Sequence, residues 1–445
     1  MRTSTIQKLA WLWIFLFIAA AISPSLVLAE TGTPPPASRI DTGDTAWILI
    51  STALVMLMTP GLALFYGGMV RRKNVLGTIM HSFVAIALVS VQWILFGYSL
   101  AFGPDINGFI GNLSWAGLTG VGLTPNTDYA PTVPHLAFMI YQAMFAVITP
   151  ALISGAFAER MKFSAYIIFT LVWTTIVYDP VAHWVWGTGG WLRQLGVLDF
   201  AGGIVVHASS GFSALAAALY IGKRKGFLQE PMPPHDLPMT VLGAGLLWFG
   251  WFGFNAGSAL SSGGLATMAF VTTHTAAVSA TLTWMFVEWY HRGKPTMFGA
   301  ATGAIAGLAT ITPAAGFVGP MPALVIGIAA GLLCYTALNA KTKLRYDDSL
   351  DAFGVHGVGG TLGTVAVGLF ASLAINSAGA NGLFFGNPRQ LAVQAGAVAL
   401  IALYSFVVSL ILFKIIEKVV GVRVDMEQET EGMDITQHGE TGYTT

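Results

Sequence analysis

The sequence predicts an all-α, polytopic membrane protein of eleven transmembrane helices arranged as an inverted five-plus-five helix repeat. Three observations carry this: a composition too apolar for water, eleven apolar runs of membrane-spanning length, and an acid–histidine pair that recurs five runs later in the opposite sense. Hydrophobic residues make up 55% of the chain and charged residues only 9%, and the mean hydropathy is +0.69. Such a chain belongs in a bilayer. The net charge is zero, and the Lys and Arg residues stand in short clusters between apolar runs. No basic face forms, which speaks against a nucleic-acid-binding protein.

Taken in order, residues 1–29, "MRTSTIQKLAWLWIFLFIAAAISPSLVLA", have two early cations, an apolar core and a small-residue end at Val27-Leu28-Ala29. This is the pattern of a cleavable signal peptide, with a retained first helix as the alternative. Residues 30–44 are polar and proline-rich, an exposed lead-in on the outer side. Within 45–420 lie eleven apolar segments, near 45–70, 75–103, 135–159, 163–183, 200–222, 238–258, 265–290, 297–313, 319–340, 352–375 and 389–420. Each is long enough for a hydrocarbon core of about 30 Å. Backbone groups in lipid must be paired within the segment, and the runs are apolar all round instead of alternating, so they are helices and not barrel strands.

Clusters at 71–73, 160–162, 223–225, 292–294, 341–345 and 414–423 place sixteen Lys and Arg on one side, against Arg39, Arg193 and Arg389 on the other. The positive-inside rule then puts the mature N-terminus outside and the C-terminus in the cytoplasm of a cell with this protein in its inner membrane. Residues 421–445 form an acidic, polar tail, for which composition alone leaves a solvated end open. The single cysteine, Cys334, sits in an apolar run and reads as a small hydrophobe.

Segment five begins with Asp199 and carries His207; segment ten begins with Asp351 and carries His356. Each acid stands where its carboxylate can cap free N–H groups at the positive end of a helix. The two segments run in opposite directions, as the halves of an inverted repeat would, and this brings the two imidazoles together near the midplane. A histidine in a membrane helix can be a packing residue bonded to a backbone carbonyl, but two at related positions point to a pathway. Haem ligation is a further reading, although the other histidines form no cytochrome-like set.

Glycines at 354, 357, 359, 360 and 363, and at 250, 253 and 257, give side-chain-free stripes for close helix packing. That leaves room for a narrow path. The potassium-filter sequence TVGYG is absent from the chain. Aromatic residues gather at "WFGWFGFNAGS", which supplies Trp248, Trp251, Phe252, Phe254 and Ser258, with Phe145 and Trp186 on other helices. Each alone reads as core packing or an interfacial belt. Together with the serine hydroxyl they suit a small cation, attracted by the ring quadrupoles by about 0.5–2 kcal/mol.

The stretches "PGLALFYGGMVRRKNVL", "GAFAERMKFSA", "LDFAGGIVVH", "GWFGFNAGS", "FGVHGVGG" and "EGMDITQHGE" closely resemble the ammonium transporter (Amt/Mep/Rh) family, nearer its Amt branch. The likeness runs in order over essentially the whole mature chain. It implies a homotrimer of eleven-helix protomers, each with its own hydrophobic pathway. It also implies that Phe145, Trp186 and Ser258 form an outer ammonium-recruitment site and that Phe145 and Phe254 are stacked gate phenyls. By the same likeness Trp251, His207 and His356 line the pore, the histidines as a twin pair, and Asp199 is the acid beside the recruitment site, structural or proton-transferring. Tyr141 stands where some members have phenylalanine. The tail resemblance implies a regulatory surface for PII-type nitrogen sensors, with Thr436 where some eukaryotic members are phosphorylated.

The expected function is therefore not enzymatic. It is nitrogen uptake: recruitment of ammonium, loss of its proton, and conduction of ammonia past two neutral imidazoles sharing one hydrogen bond. Neither metal nor cofactor is expected. The alternatives are an ammonium sensor signalling through its tail, a redox or metal enzyme built on the histidines, and a carbon dioxide channel of the Rh type.

Overall fold

A computed structural model describes residues 40–443, and among these residues ten helices are long and apolar enough to cross a bilayer. The expected signal peptide and most of the lead-in lie outside the described residues. The first five spans are α1 (Thr42–Met69), α2 (Arg72–Phe102), α3 (His135–Phe157), α4 (Phe163–Leu195) and α5 (Gly203–Ile221). After them come α6 (Leu237–Ala259), α7 (Gly264–Arg292), α8 (Met297–Ile311), α9 (Pro320–Leu344), α10 (Phe353–Phe370) and α11 (Pro388–Val419). With α8 counted, the eleven predicted segments are the eleven apolar helices among the described residues. Their exposure differs as a bundle requires: 89% of the apolar window of α3 is buried against 33% for α2, so α3 is central and α2 peripheral.

The predicted eighth segment, 297–313, is helical only over Met297–Ile311. At 1.5 Å per residue this covers about 22 Å, short of a hydrocarbon core. Thr312 and Pro313 then turn the chain, and Thr312, Ala314 and Ala315 are wholly buried. Irregular backbone at this depth is tolerated because protein, and not lipid, surrounds it. The predicted tenth segment likewise stops early, at Phe370, where Ser372 N–H donates to the Phe317 carbonyl.

Helices α5 and α10 both open with a π-helical turn, Gly203–Ala208 and Phe353–Gly357. They cross where neither has side chains to spare. A Cβ on Gly211 would stand 2.1 Å from the Gly357 nitrogen, and one on Gly360 would stand 2.7 Å from Ala208 N and 2.9 Å from the His207 Cβ. Each of these glycines lies one turn beyond the histidine of its own helix, so the contact is reciprocal. This is the geometry of the inverted repeat.

The capping acid of α10 differs from the sequence reading. Asp348, and not Asp351, accepts the N–H groups of Ala352 (3.1 Å) and Phe353 (2.8 Å). Asp348 precedes His356 by the same interval at which Asp199 precedes His207, so the correction makes the repeat more regular. Asp351 instead adopts a left-handed backbone and pairs with Lys341. Burial, then the neighbouring Asp351, push the Asp348 carboxyl up to about 6 against the pull of Lys341.

The cation-rich end is knitted together by buried charges. Glu159 holds Arg71 (3.0 Å) and Arg224 (2.9 Å), and Arg224 also pairs with Asp347 (2.8 Å). Arg160, wholly buried, donates to the carbonyls of Ala156, Gly222 and Asp347. Burial pushes the Glu159 and Asp347 carboxyls up, but the guanidinium groups outweigh it and hold both below the usual carboxylate range.

The tail packs against this end instead of floating. Its short helix α12 (Met426–Glu431) places the Glu429 carboxylate on Lys225 N–H and Arg423. Asp434 then accepts from Gly77 N–H (2.8 Å), so a tail residue caps the start of the long helical run of α2. Met433 N–H donates to Asn74.

Candidate functional site

At the end of the bundle where α1 begins, a cavity of 550 Å³ opens, lined by Asp128, Gln142, Phe145, Trp186, Arg193, Asp199, Ser258 and Arg389 among others. The three residues expected to recruit a cation therefore share one vestibule, although they come from α3, α4 and α6. Trp186 is fixed by its indole N–H, which donates to the Asp199 carbonyl (2.8 Å). Its ring stands edge-on to Phe145, with centroids 5.9 Å apart and planes at 87°. Ser258 Oγ–H donates to the Phe254 carbonyl (2.9 Å).

Beneath the vestibule the way is closed. Phe145 and Phe254 lie with ring centroids 4.3 Å apart and planes at 35°, and each is 1% exposed. Only 10 Å³ of free space follows, lined by Met58, Leu62, Phe65, His207, Trp251, Phe254 and His356 among others. That is about the space of one water molecule, and its walls are apolar except for the two imidazoles and the indole.

The imidazoles are stacked, with centroids 5.2 Å apart and planes at 19°. The Thr312 hydroxyl orients one of them. Its proton goes to the Leu308 carbonyl (2.8 Å), so its lone pairs accept from Trp251 Nε1–H (2.9 Å) and from His207 Nε2 (3.3 Å). His207 must then carry its proton on Nε2 and keep a lone pair on Nδ1. The hydrogen bond expected between the imidazoles is not made. Nδ1 of His207 and Nδ1 of His356 are both buried without a partner among the described residues, because Thr312 and the stacked Trp251 ring, 5.5 Å from His207, set the ring orientation.

Asp199 is 7% exposed and borders the vestibule. Its carboxylate accepts from four successive N–H groups, those of Gly202 (2.9 Å), Gly203 (2.6 Å), Ile204 (2.8 Å) and Val205 (3.0 Å). It caps the turn that delivers His207.

The sequence reading brought in two aromatics that do not belong. Trp248 and Phe252 face away from the pathway, against His274 (5.6 Å and 6.2 Å) and, for Phe252, Phe270 (3.9 Å). It also missed Thr312. The signal was present as the Thr-Pro pair at 312–313 interrupting an apolar segment, but nothing in the order of residues ties it to His207. Gln394 was missed as well. Its side-chain amide accepts from Leu198 N–H (2.8 Å) and donates to Leu198 C=O (2.7 Å), fixing the segment that carries Asp199.

A bundle of membrane-length helices with a polar vestibule above a dry, histidine-lined interior space has the architecture of a polytopic membrane transporter. A family profile described as Ammonium Transporter Family matches residues 46–443, and the chain belongs to that family. The ammonium transporter of Bacillus subtilis (strain 168) is 54% identical over 402 residues, which is 90% of this chain and 98% of that protein. Among solved structures, Saccharomyces cerevisiae Mep2 superposes with a TM-score of 0.83 at 37% identity, covering 89% of this chain and 93% of that one. A structure described as Sensor Amt Protein superposes with a TM-score of 0.82 at 30% identity, covering 89% and 98%. The curated relatives carry the names of transporters and not of enzymes.

Proposed function

We propose that the chain recruits ammonium among Phe145, Trp186 and Ser258, that its proton passes to water in the vestibule and crosses separately, giving a current, and that ammonia is conducted past the Phe145–Phe254 pair and the two histidines. The observation that carries this reading is the dry, water-sized space below the closed phenyl pair, whose walls include two imidazoles with unpartnered Nδ1 atoms. An unpaired ion in such a space bears a desolvation cost of several kcal/mol. Ammonia is neutral and hydrogen-bonds to the imidazoles, so losing the proton at the mouth removes most of the barrier. Potassium has no proton to lose.

In this reading Asp199 is a structural acid, because its carboxylate is filled by four backbone donors. The vestibule faces the outside of the inner membrane and the tail lies in the cytoplasm, in keeping with the cation count. The expected signal peptide, 30–44 lead-in, 45–420 transport domain and 421–445 regulatory tail follow from the same orientation. The family likeness supports a homotrimer. The docked tail, with Thr436 Oγ1–H bonded to the Gly432 carbonyl, offers a PII-type regulator a preformed surface.

The test is an ammonium jump on the reconstituted protein in liposomes, with potassium as control and a His207→Ala, His356→Ala double variant alongside. An ammonium-specific current that is lost, or becomes potassium-permeable, in the variant supports the reading. A current left unchanged by the double substitution overturns the histidine pathway. Absence of any current or ammonia flux in the parent favours the sensor reading, for which the likeness to the Sensor Amt Protein is the supporting observation.

A further inference from the structure

Tyr141 is wholly buried beneath the vestibule, edge-on to Phe145 with centroids 5.0 Å apart. Its hydroxyl lies 2.9 Å from the Gly253 carbonyl, 2.9 Å from the Phe254 carbonyl and 3.2 Å from Ser258 Oγ. Ser258 Oγ is itself 2.9 Å from the Phe254 carbonyl. The phenol fits there because residue 257 is glycine: a Cβ would stand 2.7 Å from the Tyr141 hydroxyl.

Two hydroxyl protons and two carbonyl acceptors allow few arrangements. If Tyr141 donates to either carbonyl, Ser258 donates to Phe254 C=O or to the phenol oxygen. If Tyr141 donates to Ser258, the serine proton goes to Phe254 C=O. In each of these arrangements, which use the inward acceptors, the serine proton is turned into the protein. We infer that Tyr141 is a positioning residue of the outer site: its hydroxyl gives the Ser258 proton a second inward acceptor, so that Ser258 meets the vestibule as a hydrogen-bond acceptor. This rests on the proposed role of Ser258 in ammonium recruitment.

The consequence is affinity at the mouth. An ammonium ion finds a lone pair already turned to accept one of its hydrogen bonds. Without the phenol, Ser258 keeps one anchor, the Phe254 carbonyl, and rotates more freely.

Tyr141→Phe removes one oxygen and keeps the ring, so its fold is expected to stand; thermal unfolding in detergent checks this. In liposomes the half-saturating ammonium concentration should rise about threefold or more, the worth of one oriented hydrogen bond, with the maximal current unchanged. Because Tyr141 acts through Ser258, Tyr141→Phe should add nothing in a Ser258→Ala background. An unchanged half-saturation in Tyr141→Phe, or an undiminished effect in that background, overturns the inference while leaving the recruitment site standing. If Ser258→Ala itself leaves half-saturation unchanged, the reading of the outer site fails, and the inference with it.

Discussion

Replacing Asp199 tests whether its carboxylate is a cap or a proton carrier. The side chain satisfies the N–H groups of Gly202, Gly203, Ile204 and Val205 at 2.6–3.0 Å. In Asp199→Ala all four lose their partner. A buried orphan donor costs about 1–3 kcal/mol, which gives a gross loss of about 4–12 kcal/mol. Water from the adjoining vestibule can reach the nearest of them, so the lower part of this range, about 4–6 kcal/mol, is expected. That is at the far end of what single substitutions do. Asp199→Asn keeps one acceptor oxygen but turns an amide toward two donors, for an expected loss of about 2–3 kcal/mol. Unfolding of the purified protein in detergent, read beside the ammonium current, separates the two roles. Both variants should lose stability in this order, with current falling in step. An Asn variant as stable as the parent but without proton-coupled current would refute the reasoning, because the carboxylate would then matter for its proton and not for its shape.

Glu159→Gln should cost about 3–5 kcal/mol near neutral pH, because it leaves Arg71 and Arg224 without their shared buried carboxylate. The folded protein holds this carboxyl below its ordinary range, so its stabilisation is fully present above that range and is lost as pH falls through the lowered value. The stability gap between parent and variant, followed by thermal unfolding against pH, should therefore close only in acid. Gly211→Ala should destabilise by at least about 1–3 kcal/mol, since its Cβ would meet the Gly357 nitrogen at 2.1 Å and backbone cannot give way as a side chain can; a thermal midpoint equal to the parent's would contradict the crossing.

The membrane fold was legible because its cause is local. An apolar run of sufficient length has no choice but to pair its own backbone, and each of the eleven runs is read without knowledge of the others. His207 and His356 were legible for a related reason, since an ionisable group in such a run stands out against its neighbours. What pairs across the bundle was not. Asp351 looked like the cap of α10 because it is the acid nearest the helix start, whereas the caps are made by Asp348, three residues earlier, once the chain turns through a left-handed residue at 351. Trp248 and Trp251 look alike in sequence, yet three residues of helix are enough to send one into the pathway and the other toward α7. Thr312 is an ordinary hydroxyl until α8 and the turn after it bring it beside His207.

The docking of the tail has a consequence for how the molecule is made. The start of α2 is finished by Asp434, 357 residues further along the chain than its partner Gly77, and Asn74 waits 359 residues for Met433. At the pace of synthesis, about 5–20 residues per second, the second helix spends much of the chain's birth in the bilayer with its first turn unfinished. Residues translated this late, Met433 and Asp434, are thus a closing stitch. A chain cut short ahead of them leaves the Gly77 N–H and the Asn74 amide without these partners at the cation-rich end of the bundle.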